Sequence, residues 1–198
     1  MLLGSVAGTR APQILFRGPN IGVGGFLRDG KSIVVVRTVE QDIALMRIAD
    51  PKTLIPLTKD AGSEAQPAQS PDGRWLAFTS GQSGHAEIVL AEFQDDGTKV
   101  TLGEQRLPVS SGAGGVDPHW RKDGKEIVYT APSGQLMSVS VDLAGKSVTL
   151  GRPTPLPINP ADLGGSGDNW AVNSTHTLFV ILEAPRASRQ TFRVIVGK

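Results

Sequence analysis

The chain has 198 residues, 39% of them apolar and 20% charged, a length and composition that suit one packed domain and exclude a disordered chain. Twenty Lys and Arg against 19 Asp and Glu leave a net charge of +1, which argues against a dedicated nucleic-acid binder or a membrane-surface protein. With no cysteine, disulfides, thiolate zinc sites and cysteine nucleophiles are excluded. Gly and Pro together supply 38 residues (24 and 14), about 19% of the chain against about 12% on average, so many short elements are expected.

The N-terminal segment Met1-Leu2-Leu3-Gly4-Ser5-Val6-Ala7-Gly8 lacks the basic region and the roughly 7–15-residue apolar stretch of a signal peptide. The longest apolar runs, 33–36 and 178–182, fall far short of the ~20 residues that cross a bilayer. The reading is a soluble chain whose compartment the sequence does not fix. Residues 10–17, Arg-Ala-Pro-Gln-Ile-Leu-Phe-Arg, look like an outer strand without the strands that should precede it.

From residue 26 the chain repeats itself. Phe26-Leu-Arg-Asp29-Gly30-Lys31-Ser-Ile33-Val-Val35, Gln69-Ser-Pro71-Asp72-Gly73-Arg74-Trp-Leu76-Ala-Phe78 and Trp120-Arg-Lys-Asp123-Gly124-Lys125-Glu-Ile127-Val-Tyr129 share an Asp-Gly pair, a basic residue and a short apolar run. A fourth copy, Ala171-Val-Asn-Ser174-Thr175-His176-Thr-Leu178-Phe-Val180, keeps the run and lacks Asp-Gly. Aligned on Asp29, Asp72, Asp123 and Ser174, the steps are 43, 51 and 51 residues. A four-stranded propeller blade takes about 40–50.

Asp29-Gly30, Asp72-Gly73 and Asp123-Gly124 read as structural turns. In Ser70-Pro71-Asp72-Gly73, Pro71 presets φ, Asp72 accepts local backbone hydrogen bonds and Gly73 takes positive φ. The runs that follow (33–36, 76–78, 127–129) are apolar on both faces, as in a strand sandwiched between blades. A third strand is expected at 43–48, 87–93, 136–141 and 192–196, and a weaker fourth at 54–57, 105–107 or 154–157. No segment holds a capped 3.6-residue apolar period, so almost no helix is expected. The fold expected is all-β, a β-propeller or partial propeller arc of about four four-stranded antiparallel blades. A single domain over 1–198 would divide into blades near 17–60, 61–108, 109–157 and 158–198, with 1–16 the remnant of a preceding blade or a closing strand.

Three phrases carry a family resemblance: Ser70-Pro-Asp-Gly-Arg-Trp-Leu-Ala-Phe-Thr-Ser-Gly-Gln-Ser-Gly, Asp117-Pro-His-Trp-Arg-Lys-Asp-Gly-Lys-Glu-Ile-Val-Tyr and Ser133-Gly-Gln-Leu-Met-Ser-Val-Ser-Val. They resemble TolB-type, WD-repeat-like β-propeller repeats, and more narrowly the propeller region C-terminal to the kinase domain of some bacterial serine/threonine kinases. The resemblance spans about 14–198, strongest over 26–141. It implies a binding or sensing module, often extracytoplasmic, whose kinase chemistry would lie in a separate domain. This chain has no His-Arg-Asp, no Asp-Phe-Gly and no phosphate-cradling loop. Gly22-Val-Gly24-Gly25 has the wrong spacing for one and reads as backbone at a crowded inner strand.

Antiparallel strands sort the loops to two ends. The segments entering each innermost strand (18–20, 60–66, 110–117, 160–169) share one face with those between second and third strands (39–41, 81–85, 131–134, 183–189). Candidate partner-binding residues on that face are Glu64, Gln66, Asp117, His119, Asp168 and Asn169, with Gln82, Ser83 and His85 at its rim. His85, His119 and His176 fall on different parts of the scaffold, so no three-histidine metal site is expected. Gly164-Gly-Ser166-Gly-Asp168 fails the nucleophile-elbow pattern at its last position. Trp75, Trp120 and Trp170, at or beside equivalent blade positions, read as inter-blade packing, and Asn173-Ser174-Thr175 is a chance sequon. The function expected is non-catalytic recognition of a protein or peptide, without cofactor, through the loop face or an exposed strand edge. Open edges also invite homo-oligomers. The alternatives are a small-molecule or carbohydrate-processing propeller using channel carboxylates and His119, and a fragment of a longer kinase-linked sensor.

Overall fold

A computed structural model of the chain describes residues 2–3, 13–14, 20–59, 62–145, 147–157, 170–183 and 191–196. These residues are all-β, with no helix among them. A two-stranded sheet pairs β1 (Leu2–Leu3) with β2 (Gln13–Ile14). Of the segment 10–17 only Gln13 and Ile14 are among the described residues, and they pair with Leu2–Leu3 rather than with a strand of a blade. The first blade is a meander of β3 (Ile21–Phe26), β4 (Ser32–Arg37), β5 (Asp42–Arg47) and β6 (Asp50–Pro56). The second runs through β7 (Glu64–Gln69), β8 (Trp75–Ser80), β9 (Glu87–Asp95), β10 (Val100–Leu102) and β11 (Leu107–Pro108). The third holds β12 (Val116–Trp120), β13 (Glu126–Thr130), β14 (Leu136–Asp142), β15 (Thr149–Leu150) and β16 (Thr154–Pro155). The fourth shows β17 (Trp170–Val172), β18 (Leu178–Glu183) and β19 (Thr191–Val196). The architecture is a partial propeller arc.

Four strands per blade is the underlying pattern, with one difference in the second and third blades. There the outermost strand is broken in two: β10 and β11 both pair with β9, and β15 and β16 both pair with β14. The break falls at Gly103 and Gly151, whose N–H groups donate to the carbonyls of Glu92 and Ser140. A Cβ on Gly103 would stand 3.3 Å from Glu92 Cβ, so the chain crosses its neighbour where little more than hydrogen fits.

The turns repeat one geometry. The N–H of Gly30, Gly73 and Gly124 donates to the carbonyl three residues earlier, on Leu27, Ser70 and Arg121, each glycine at left-handed φ (63°, 83° and 73°). The fourth turn closes the same way, from His176 (φ 56°) to the Asn173 carbonyl. The position equivalent to Asp123 is therefore Thr175, and the last step of the repeat is 52 residues rather than 51. Asn173 takes over the aspartate's work, its Oδ1 accepting the Thr177 N–H at 2.9 Å. His176 replaces glycine because its side chain latches two blades: Nδ1 lies 3.1 Å from Glu126 Oε2. Glu126 also accepts from Arg121 and Ser138.

Both faces of β4, β5, β8, β9 and β13 are apolar and buried, so these strands need cover on either side. Val34, Ile43 and Leu45 of the first blade pack with Leu76, Phe78 and Phe93 of the second in one core. Ala77, Ile88 and Leu90 on the opposite face pack with Ile127, Tyr129 and Val139 of the third. Val128 and Leu136 then meet Trp170 of the fourth. The tryptophans do pack between blades, yet not at equivalent positions: Trp75 and Trp120 border the second core, and Trp170 belongs to the next. Polar latches reinforce the turn side. Arg47 holds Asp95 of the next blade in a two-pronged pair at 2.6 Å on each prong. Arg74 reaches the Leu143 and Gly145 carbonyls at 2.8 and 3.0 Å.

The innermost strands of the first three blades each carry one bulge, at Val23/Gly25, Ala65/Ala68 and Val116/His119. At the first, Gly24 sits against Pro67 of the second blade, where a Cβ would lie 2.6 Å from Pro67 Cγ and 3.0 Å from the Val34 carbonyl. Of the three glycines in the 22–25 run, Gly24 is the crowded one.

Gly24→Ala should destabilise the fold by about 1–3 kcal/mol through overpacking, read as a lower urea midpoint; an unchanged midpoint would refute the contact. Acid should weaken the latches in a defined direction. Hydrogen bonds from Arg47 hold Asp95 below the usual carboxylate range, and the His176 contact, then Ser138 and Arg121, do so for Glu126 against the opposing effect of burial. Their folded pKa values lie below the unfolded ones, so their stabilisation is whole above the ordinary carboxylate range and is lost as pH falls through the folded values. Melting temperature should therefore drop below about pH 4, and by less in Asp95→Asn, which lacks one of the two groups. Equal drops in the two proteins would remove Asp95 from the account.

Candidate functional site

The bulges set the site. In the second and third blades the bulge places Gln66 and Asp117 at φ 52° and 60°, left-handed backbone that residues other than glycine, asparagine and aspartate rarely adopt. Each is followed by a proline, which further disfavours helical ψ at the residue before it. Pro67 and Pro118 are buried, which fixes the two peptides against the sheet while their predecessors face the axis. Two equivalent strained positions on neighbouring strands are a mark of a site held in place by its surroundings.

The three inner strands enclose an axial cleft of about 370 Å³. One wall is apolar: Val23 and Phe26, 63% and 58% exposed, both line the cleft. The other wall is polar, made by Gln66, Gln69, Asp117 and His119. Gln66 Oε1 accepts from Thr79 Oγ1 at 2.8 Å and from the Asp117 N–H at 3.0 Å, so it ties the second blade to the third. Asp117 Oδ2 lies 3.3 Å from His119 Nε2. That nitrogen is buried and makes no hydrogen bond among the described residues. Trp170 packs on the His119 ring at 4.7 Å with the planes tilted by 58°, and Trp170 Nε1 donates to Thr130 Oγ1 at 2.8 Å. Trp120 Nε1 donates to the Ala68 carbonyl at 3.1 Å. Imidazole and indole are therefore fixed in orientation beside the carboxylate.

The candidate residues separate into two groups. Gln66, Asp117 and His119 meet in the cleft, on strands rather than loops. Gln82, Ser83 and His85 lie on the exposed segment between β8 and β9, at the shoulder of the second blade. Glu64 is fully buried at the start of β7, where Ser80 Oγ lies 3.4 Å from its Oε1. Asp168 and Asn169 lie outside the described residues. Loop reasoning misses Val23, Phe26 and Gln69, because an inner strand reads as structural and apolar side chains read as core. Among the described residues no group of three His, Asp or Glu converges as a metal site would, and no helix is long and apolar enough to cross a membrane.

Solved structures share this fold. TolB from Acinetobacter baumannii superposes with a TM-score of 0.64 at 17% identity, covering 96% of this chain and 44% of that one. A protein assigned as TolB from Agrobacterium tumefaciens gives 0.54 at 23% identity, over 75% of this chain and 55% of that one. One assigned as a 6-phosphogluconolactonase from Bacteroides uniformis gives 0.55 at 16% identity, over 91% and 58%. The chain thus spans about half the length of these structures, and at these identities the likeness is one of fold. No family model matches the chain, and no curated protein matches it.

The strain at Asp117 is testable by substitution. Both Asp117→Ala and Asp117→Gly remove the carboxylate, but only glycine is at ease at φ 60°. Asp117→Gly should be the more stable of the two by about 1 kcal/mol in chemical denaturation. Equal stability would show that the left-handed conformation stores no strain.

Proposed function

We propose that the chain is a non-catalytic recognition module that binds an extended segment of a partner protein in its axial cleft. The observation that carries this reading is the pairing of two exposed apolar side chains, Val23 and Phe26, with a polar wall of fixed orientation. Such a cleft gives apolar contact area on one side and hydrogen-bond partners on the other, which is what a peptide needs. On this reading 17–60, 61–108, 109–157 and 158–198 are blades of one unit, and 1–16 belongs to a preceding or closing element. The TolB fold of the solved structures supports a binding scaffold and is compatible with association through open blade edges.

A catalytic reading has one observation in its favour, the Asp117–His119 pair beside the cleft. An enzyme would lose turnover altogether on His119→Ala, whereas a binder would lose affinity in proportion to contact.

Selection of linear peptides from a random phage library against the intact chain tests the proposal. Enriched peptides should carry an apolar anchor, should lose at least tenfold in affinity with Phe26→Asp, and should be weakened less by Asp117→Ala. Absence of enrichment, or enriched peptides indifferent to Phe26→Asp, would refute it. Phe26 is exposed, so the substitution leaves the fold intact.

A further inference from the structure

On the second blade, one rung of the sheet carries two buried carboxylates. Glu64 pairs with Ser80 and Ser80 with Glu87, so the three side chains share a face. Their exposures are 0%, 4% and 8% in chain order. Ser80 has a single hydroxyl proton, directed to Glu64 Oε1 at 3.4 Å, while its oxygen accepts the Gln82 N–H. The rung therefore offers Glu87 no donor. Its Oε1 is buried and receives no hydrogen bond among the described residues. His85 Nε2 stands 3.5 Å away, on an imidazole that is 53% exposed. Burial first, and the charge of Glu87 second, push the Tyr129 hydroxyl up to about 12.

Glu87 lines a pocket of about 270 Å³, separate from the axial cleft, with Ser80, Ser83, Val89, Pro108 and Arg106. The Arg106 guanidinium is engaged elsewhere: it lies 5.5 Å from the Phe78 ring centroid and donates to the Gly103 carbonyl. A buried carboxylate oxygen without a donor carries its full desolvation penalty unless something supplies one. The Glu87 carboxylate in the pocket wall repels anions and favours a donor that is itself cationic. A divalent metal would require about six oxygen ligands, and no cluster of three acidic or imidazole ligands is present among the described residues.

We infer that this pocket binds a primary ammonium group on a short aliphatic chain, with Glu87 as its counter-ion. The Glu87 carboxylate and the hydroxyls of Ser80 and Ser83 offer acceptors for the three N–H bonds, and Val89 with Pro108 gives an apolar wall for the methylenes. The same chemistry is presented by a lysine side chain of a partner and by a free alkylamine. The site goes beyond peptide recognition in the cleft and does not depend on it.

The test is an amide NMR titration of the intact chain with n-butylammonium, butyrate and butanol. Butylammonium alone should shift the amides of Ser80, Ser83, Glu87 and Val89. Glu87→Gln, nearly isosteric, should weaken binding at least tenfold, and Ser83→Trp, on an exposed loop, should block the pocket without disturbing the fold. Phe26→Asp should leave the titration unchanged, which keeps this result apart from that of the cleft. Tighter binding of Nα-acetyl-lysine methylamide than of butylammonium would assign the source as a partner's lysine, and the reverse order a free amine. Equal shifts with butanol, or full affinity in Glu87→Gln, would overturn the inference.

Discussion

The arc depends on blades that are apolar on both faces. A sheet with one wet face can stand alone; one whose second and third strands are buried on either side must be covered twice. Leu76 and Phe78 point to the first blade while Ala77 points to the third, so alternate residues of β8 belong to different cores. The register of β8 therefore decides the packing of three blades at once. A slip by one residue would put the small side chains of β8 into the first core and force its large ones into the second. Polar latches such as Arg47–Asp95 and Arg74–Leu143 add orientation to a stack that apolar burial already holds.

The repeat is legible in the sequence because its turn chemistry is local. Asp-Gly needs nothing beyond its own neighbours to form the hairpin, so it marks three blades wherever it occurs. The fourth turn aligns one residue away from where the sequence suggests, and the reason is tertiary. His176 holds the left-handed position because Glu126, fifty residues earlier, receives its ring, and nothing nearby in sequence announces that partner. The split outer strands escape notice likewise. Val100–Leu102 and Thr149–Leu150 are short, exposed to varying degrees and paired with the far ends of long third strands, so neither periodicity nor length sets them apart from loop.

The cleft is half legible. Gln66 and Asp117 read from the sequence as loop residues, and both lie in the cleft, but as bulges within strands. A signal is present: Gln66-Pro67 and Asp117-Pro118 each begin six residues before Asp72 and Asp123. A proline at fixed distance from a repeated turn implies a repeated interruption of the inner ladder, since proline offers no N–H to it. What sequence alone does not show is the left-handed conformation of the preceding residue. The steric rule for a residue before proline argues against it, and the adjoining blades impose it.

The first blade departs from its neighbours at the same point, and the asymmetry of the cleft follows from that. Where the second and third blades place Pro67 and Pro118, the first has Gly24, because Pro67 itself fills the space a side chain there would occupy. With glycine at the bulge, the first inner strand needs no strained polar residue to carry the chain through it. Val23 and Phe26 remain as the side chains it presents to the axis. Packing between the first two blades thus dictates that one wall be apolar, while the proline bulges hold Gln66 and Asp117 on the other. A segment entering between them meets two different chemistries across its width, and that difference would fix which of its edges faces which wall.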